Sequence, residues 1–68
     1  MNYKLYDNVA ATVDLPDFGI SAGDKGTIID IYPDGAYEIE FDPDELENIV
    51  TASLLPSQVA LADLRQAA

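Results

Sequence analysis

The sequence predicts an all-β domain in which about five short, bent antiparallel strands form a small barrel. Apolar and polar residues alternate over residues 8–15 and again over 37–41. A period of two is typical of strands with one buried face. Turn residues separate these segments at spacings of roughly 8–12 residues, as in other small barrels. Closure into a barrel would also remove strand edges, which so short a chain has no helices to cover.

Length and composition favour a single domain over residues 1–68, with a core over about residues 7–64 and ends that fray. The apolar fraction of 49% is normal for a globular protein and argues against disorder. The chain contains no cysteine and no histidine. Disulfides and zinc sites built from these residues are therefore excluded, and the lack of disulfides favours a cytoplasmic location.

The charge balance limits the classes of partner. Thirteen acidic residues and three basic ones give a formal net charge of −10. Such a surface repels phosphate groups and anionic lipids, so we expect no binding to nucleic acid or to membranes. A basic protein would be attracted to it. The alternative is that the acids only keep the domain soluble. No signal-peptide core and no membrane-spanning apolar run is visible, which again favours the cytoplasm.

A β-hairpin over residues 22–41 is the clearest predicted element. The tripeptide Pro33–Gly35 has turn chemistry, because proline fixes φ, aspartate tolerates the bridge region and glycine accepts a left-handed angle. In the second strand, Glu38 and Glu40 are predicted to point outward. The residues predicted to point inward are Tyr37, Ile39 and Phe41. A slip of one residue would bury two carboxylates, so we expect a fixed register.

The segments before this hairpin are predicted to be a strand and a loop. The strand covers 8–15 and ends at Pro16, which lacks a ladder donor. The loop covers 17–25, with two glycines as hinges and with Phe18 or Ile20 folded back over the barrel end. Gly26 is expected to mark a bulge or a close approach of two backbones. The strand that follows it has apolar residues of both parities, so we expect a bent or central strand that is covered on both faces along part of its length.

The remaining segments complete the predicted barrel. A strand is expected over residues 48–55, a single 3₁₀ turn over Pro56–Val59, and a short strand or helical turn over Leu61–Leu64. The acidic stretch Asp42–Glu47 reads as a loop with one helical turn.

Several short motifs in this order resemble a known family. They are Asp7-x-Val9-Ala10, Leu15-Pro16, Gly19, Ala22-Gly23-Asp24-x-Gly26-Thr27-Ile28, Tyr32, Asp34-Gly35 and Tyr37-Glu38-Ile39-Glu40-Phe41. Together they resemble the bacterial domain of unknown function family 4926, over most of the chain. The resemblance implies an SH3-like barrel with a KOW-like layout, and it transfers no catalytic or binding residues. KOW-type relatives that bind nucleic acid are generally basic, unlike this chain.

Candidate partner-binding residues lie in two groups. Tyr6, Phe18 and Tyr32 could line an aromatic groove beside Asp17 and Asp24, as in SH3 barrels that bind proline-rich peptides. The other group is the outward-facing pair of glutamates, Glu38 and Glu40. Under the alternative interpretation the aromatic residues are structural: Tyr37 and Phe41 lie in the core, Tyr32 flanks its turn, and Tyr3 and Tyr6 cover the open end of the barrel.

Other candidate chemistry is weaker. Asp42–Glu47 could hold a hard cation, but its spacing does not match an EF-hand loop, and a solvated turn is favoured. Gly23–Gly26 matches no phosphate-binding loop. Catalysis would need carboxylates or lysines, and two glutamates about 7 Å apart on an open strand lack a cleft. We therefore expect no enzymatic activity, no cofactor and no metal.

Two functions remain from the sequence. The first is a small acidic protein–protein interaction module, a monomer or weak homodimer, that neutralises a basic partner such as a neighbouring toxin. The second is an accessory structural subunit of a larger complex. An exposed apolar patch around Tyr3, Tyr6 and Leu61 would favour the second function.

Overall fold

Five antiparallel strands form one sheet in the computed structural model, which describes residues 3–41 and 49–62. The strands, in chain order, are β1 (Asn8–Ala11), β2 (Lys25–Ile31), β3 (Tyr37–Phe41), β4 (Val50–Leu54) and β5 (Val59–Leu61). Their order across the open sheet is β4-β3-β2-β1-β5. Two 3₁₀ helices cover Pro16–Phe18 and Pro56–Gln58. The predicted all-β fold, with five short antiparallel strands and a 3₁₀ turn near the C-terminal end, is confirmed. Among the described residues the ladders form an open sheet, with β4 and β5 at its edges, and closure into a barrel stays a prediction.

The core is formed by inward-facing residues that pair with one another across neighbouring strands. Ile28 pairs with Ile39, which pairs in turn with Ala52, and all three side chains are buried. Phe41 lies in a neighbouring row and is also fully buried. Burial alternates strictly along β3, as its sequence predicts. This alternation fixes the register, because a shift by one residue would move two carboxylates into the core.

The turn between β2 and β3 confirms the predicted chemistry. The Gly35 N–H donates to the Tyr32 carbonyl oxygen at 2.9 Å, and the Tyr32 N–H donates to the Ala36 carbonyl oxygen at 2.9 Å. The Asp34 carboxylate accepts a bond of 3.0 Å from the Ala36 N–H. Gly35 has a φ of +97°, in the left-handed region that glycine adopts without steric cost.

Replacing Gly35 by valine should lower the free energy of unfolding by more than ~1 kcal/mol, because a β-branched residue is strained at positive φ. A Cβ at this position would have no heavy atom within 4 Å, so the cost is conformational and not a clash. Thermal unfolding followed by circular dichroism measures the loss. Gly35→Asn is the control, since asparagine tolerates the left-handed region and should cost less. Equal melting temperatures for the wild type and the valine variant would contradict the turn assignment.

The first strand is shorter than predicted. The sequence alternates over residues 8–15, but β1 ends at Ala11. After this residue the chain bends, because the Thr12 N–H donates to the Gln58 carbonyl oxygen at 2.9 Å. The Asp14 carboxylate then accepts a bond of 2.8 Å from the Ala22 N–H. Contacts from distant parts of the chain thus override the local alternation.

The loop after β1 contains a 3₁₀ helix that was not predicted. Pro16 occupies its first turn, where a missing N–H costs nothing, and Gly19 ends it with a φ of +71°. Leu15 and Ile20 form an isolated bridge across this loop. Ile20 is buried in the core, which confirms that one apolar loop residue folds back. Phe18 remains 48% exposed.

Strand β2 is central and irregular, as predicted. Its register with β3 shifts between Ile28 and Asp30, which places a bulge at Ile29. Gly26 marks a close approach instead, because a Cβ built there would lie 2.7 Å from the Ile39 side chain. The expectation that both faces of β2 are covered along part of its length is wrong for Ile29 and Ile31. Each of these is more than a third exposed.

The C-terminal elements agree with the sequence, with shifted boundaries. Strand β4 is one or two residues shorter at each end than the predicted 48–55, and its inward residues include Ala52 and Leu54. The 3₁₀ helix Pro56–Gln58 is confirmed. The closing element is a strand that begins at Val59, two residues before the predicted start. The predicted loop Asp42–Glu47 and the end of the predicted Leu61–Leu64 segment lie outside the described residues.

Candidate partner-binding face

The outer surface of β2, β3 and β4 carries two polar rows. In the first row Thr27 pairs with Glu40, which pairs with Thr51. In the second row Asp30 pairs with Glu38, which pairs with Ser53. We call this surface the polar face; its members are Thr27, Asp30, Glu38, Glu40, Thr51 and Ser53. The face arises because period-two alternation places polar residues opposite one another whenever the register is fixed.

Glu38 is the most constrained carboxylate of the polar face. Its Oε1 accepts a hydrogen bond of 2.9 Å from the Tyr32 hydroxyl and another of 2.9 Å from the Ser53 hydroxyl. These bonds hold the side chain of a β3 residue over the edge strand β4. They leave Oε2 without a protein donor in the part of the chain that the structure describes. A carboxylate held in this way is ready to accept a donor from another molecule.

Glu40 has a different environment. It lies between two threonines, and the Thr27 hydroxyl donates to the Asn8 side-chain oxygen at 3.3 Å. An open hollow of about 430 Å³ adjoins it. The residues that line this hollow are Asn8, Lys25, Gly26, Thr27, Glu40, Ile49 and Ala62. The lining thus contains one basic residue, Lys25, and one acidic residue, Glu40.

Charge on the polar face is of one sign. By its definition the face holds three carboxylates, of Asp30, Glu38 and Glu40, and no basic side chain. The basic residues within the described stretches are Lys4 and Lys25. Lys25 lies two residues before Thr27, on the same side of β2, and lines the hollow beside Glu40, so it borders the face at that end. A cluster of this kind on an open sheet attracts cationic groups and repels anions.

The hydroxyl group of Tyr32 has a pKa that is changed by its neighbours on the polar face. The hydrogen bond to Glu38 raises the pKa of Tyr32 above the ordinary tyrosine value, and loss of hydration and the charge of Glu38 act in the same direction. The Ser53 hydroxyl acts in the opposite direction. The neutral phenol is therefore the form that the fold favours.

We expect the absorbance of tyrosinate to show that Tyr32 ionises above about pH 10, the value of a free tyrosine. Because the folded-state pKa is the higher one, its stabilising effect is fully present below about pH 10. The effect is lost as the pH rises through the folded-state value. Glu38→Gln keeps an oxygen acceptor but removes the charge, and should move the pKa of Tyr32 back toward 10. Carbon-13 chemical shifts of the tyrosine ring assign the titration to Tyr32. Identical titrations of Tyr32 in the two proteins would contradict the role of Glu38.

The other predicted site residues lie on different segments. Phe18 and Asp17 belong to the first 3₁₀ helix, whereas Asp24 ends the following loop and its carboxylate accepts the Ser21 N–H at 2.9 Å. Tyr6 lies in the turn before β1. Among the described residues no hydrogen bond or ring contact joins Tyr6, Phe18 and Tyr32. The aromatic groove stays a prediction, while Tyr32 and Glu38 are brought together.

Tyr6 has an unusual backbone conformation. Its φ is +71°, and its side chain is 72% exposed. The Tyr6 N–H donates to the Ile28 carbonyl oxygen at 2.7 Å, and the Asp7 carboxylate accepts the Lys4 N–H at 2.9 Å. These bonds impose a conformation that costs a non-glycine residue of order 1 kcal/mol or more. The exposed ring does not cover the end of the sheet, so this part of the structural alternative is wrong.

Tyr3 packs against the core of the sheet. Its ring packs edge-to-face on Tyr37, with centroids 5.6 Å apart, and its N–H donates to the Tyr37 hydroxyl at 3.2 Å. Sequence reasoning missed Ser53 as a partner of Glu38. The sequence places Ser53 in a strand, but it does not show which residue of β3 lies opposite. The register of the two strands that residues 42–48 connect cannot be read from strand patterns alone.

Two further properties of the described stretches bear on function. Their acidic side chains form no group of three or more that could hold a metal ion, while the predicted cation loop Asp42–Glu47 lies outside these stretches. Over residues 3–41 and 49–62 there is also no helix with the length and apolar character needed to cross a membrane.

Comparison with protein families identifies the chain. Residues 5–61 match the family described as Domain of unknown function (DUF4926). The chain belongs to this family. The match confirms the resemblance seen in the sequence motifs. A search of curated proteins and a search of solved structures each found no match.

The matched region of this DUF4926 domain contains all five strands and both rows of the polar face. Membership brings no activity and no ligand with it. The polar face is a charged feature of this matched region, with the carboxylates of Asp30, Glu38 and Glu40 on neighbouring strands.

Proposed function

We propose that this DUF4926 domain is a non-enzymatic protein–protein interaction module that binds a basic protein through its polar face. The observation that carries the proposal is the placement of Glu38. Two hydroxyl groups on neighbouring segments hold one carboxylate oxygen, and the other oxygen has no donor within the described residues. The carboxylates of Glu40 and Asp30 add to the negative potential of Glu38 along the sheet.

The charge of the chain supports a basic partner. A formal net charge of −10 on 68 residues steers cationic surfaces toward the domain and raises association rates at low salt. A compact acidic domain of this kind could cover the basic active surface of a partner such as a toxin and thereby neutralise it. A soluble cytoplasmic location fits this proposal.

A binding role is favoured over an enzymatic one by the composition and by the shape of the face. The chain has no histidine or cysteine, so acid–base chemistry would fall to carboxylates, lysines or tyrosines. The carboxylates of the polar face lie on an open sheet, where water screens them, and among residues 3–41 and 49–62 no element forms a wall that would exclude solvent from a substrate.

The proposal is tested by titrating a decaarginine peptide into two variants of equal formal charge. One variant neutralises the polar face by Asp30→Asn, Glu38→Gln and Glu40→Gln. The control neutralises Asp14, Asp17 and Asp34 by asparagine, which preserves the oxygen acceptors used in the loop and turn. We expect the face variant to lose at least about tenfold more affinity than the control at low salt.

Equal losses in the two variants would overturn the proposal, because binding would then follow net charge and not the polar face. Circular dichroism of both variants checks that each retains the sheet.

A second candidate function is that of an accessory subunit in a larger complex. It is favoured by large apolar side chains that are exposed near the start of β1. Tyr6 precedes this strand, and Leu61, which pairs with Val9, is 55% exposed. Native mass spectrometry of the protein from its source cells would reveal a stable assembly if this function is correct.

A further inference from the structure

Strand β4 is an edge of the sheet formed by the described residues, and its own sequence lacks the usual protection against pairing. It pairs with β3 on one side, and its five residues, Val50–Leu54, include no charge and no proline. Natural edge strands commonly carry lysine, proline or a bulge that blocks association. In a chain with 24% charged residues, an uncharged edge of full strand length is a notable exception.

The hydrogen-bond pattern shows which groups of β4 face outward. The Ile28 N–H donates to the Asp7 carbonyl oxygen at 3.1 Å, and the Ile28 carbonyl oxygen accepts the Tyr6 N–H at 2.7 Å. Both groups therefore point toward the segment that leads into β1. Ile39, which pairs with Ile28, must therefore bond toward β4, where it pairs with Ala52. The backbone groups of Ala52 therefore point toward β3. Because successive residues of a strand direct these groups to opposite sides, the N–H and carbonyl groups of Thr51 and Ser53 point away from β3. Across the described stretches, no backbone bond from outside the β3 ladder reaches these groups.

We infer that this edge of β4 accepts an extended segment of the basic partner as an additional antiparallel strand. The inference rests on the proposed function and specifies the shape and sequence pattern of the partner. Residues of the added strand opposite Thr51 and Ser53 would share the polar face with Glu40 and Glu38. Main-chain bonds supply affinity in this binding mode, and alternate side chains supply specificity.

The position of Glu38 selects basic residues on that side of the segment. Its Oε1 lies 2.9 Å from the Ser53 hydroxyl, so its charge already reaches over the edge strand. A lysine or arginine opposite Ser53 would start about 5 Å away, within the reach of its side chain. Residues opposite Val50, Ala52 and Leu54 would point to the apolar side of the sheet. The fitting segment therefore alternates apolar and basic residues.

Charge argues against a second copy of this chain as the occupant. An antiparallel pairing of β4 with itself would place the two polar faces side by side on one continuous sheet. Glu38 and Glu40 of both copies would then approach the same seam, and like charges at an interface oppose association.

The test follows amide hydrogen exchange of the isotope-labelled full chain by nuclear magnetic resonance. The probe is a short peptide that alternates valine with lysine and arginine. One control peptide has the same composition with its basic residues adjacent. Another carries backbone N-methyl groups on its basic residues, whose N–H groups must donate to β4. We expect the alternating peptide to slow exchange of the Thr51 and Ser53 amides at least about tenfold and the N-methylated peptide to bind at least about tenfold more weakly.

Three results would overturn the inference. If the alternating and control peptides bind equally and leave the two amides unprotected, the edge is not used, although binding to the polar face can still hold. If the two amides become protected without peptide as the protein concentration rises, a second copy occupies the edge. If no peptide binds, strand addition fails, and the decaarginine titration of the face variants decides the proposed function separately.

Discussion

Replacing Gly26 by alanine should lower the free energy of unfolding by about 3 kcal/mol, at the upper end of the range for overpacked cores. The added Cβ would lie 2.7 Å from Ile39 Cγ2, 2.8 Å from the Glu40 carbonyl oxygen and 3.0 Å from Phe41 Cδ1. The Ile39 side chain can rotate, but the carbonyl oxygen belongs to the backbone of β3. The substitution therefore forces β2 and β3 apart where Gly26 pairs with Phe41.

Urea unfolding and thermal melting measure this loss, and a domain of this size loses roughly 4–8 °C for each kcal/mol. Gly23→Ala is the matched control. Gly23 has a φ of +97°, but a methyl group added there would have no heavy atom within 4 Å, so its cost is conformational only, about 1 kcal/mol. The close approach of β2 and β3 would be refuted if the Gly26 variant were no less stable than the Gly23 variant.

Replacing Phe41 by alanine should cost about 3–5 kcal/mol, the usual range for removing a buried aromatic ring. Phe41 is fully buried in the row that also contains Gly26 and Val50. A domain of this length has a total stability of roughly 3–10 kcal/mol. The substitution should therefore leave much of the chain unfolded near physiological temperature, with loss of the β-sheet signal and of dispersed amide resonances.

Phe18 provides the control for this experiment, because it is the other phenylalanine of the chain and is 48% exposed. Phe18→Ala should cost less than about 1 kcal/mol, since half of the ring already contacts water. Similar losses for the two phenylalanine variants would mean that the core has been assigned incorrectly.

The hairpin of β2 and β3 was predictable because its determinants are local. Proline, aspartate and glycine at 33–35 specify the turn, and strict alternation along β3 specifies which side chains are buried. The register of the two strands then follows from the turn, apart from the bulge at Ile29. Such a bulge is invisible in a pattern where both parities are apolar.

Residues 12–15 show where local reasoning fails. Their alternation favours a strand, yet Thr12 bonds to Gln58 and Asp14 bonds to Ala22, so distant partners decide the path of the chain. The left-handed conformation of Tyr6 is a similar case, because it is imposed by Ile28 and not by tyrosine's own preference.

The candidate site was predictable one strand at a time. Alternation placed Glu38 and Glu40 on the outer surface, and Tyr32 was proposed as a binding residue. The hydrogen bond from the Ser53 hydroxyl of β4 to Glu38 depends on the register between β3 and β4. No turn chemistry in residues 42–48 specifies that register, so the role of Ser53 required the three-dimensional fold.

The position of β1 between β2 and β5 has a consequence for the order of assembly. Strands β2, β3 and β4 follow one another along the chain and in space, so their ladders close short loops. The ladder between Ala11 and Val59 joins nearly opposite ends of the domain and requires a large loop to close. High contact order of this kind slows folding into the millisecond-to-second range. Because the polar face belongs to the three-strand meander, a nascent chain can build it before the two terminal strands meet.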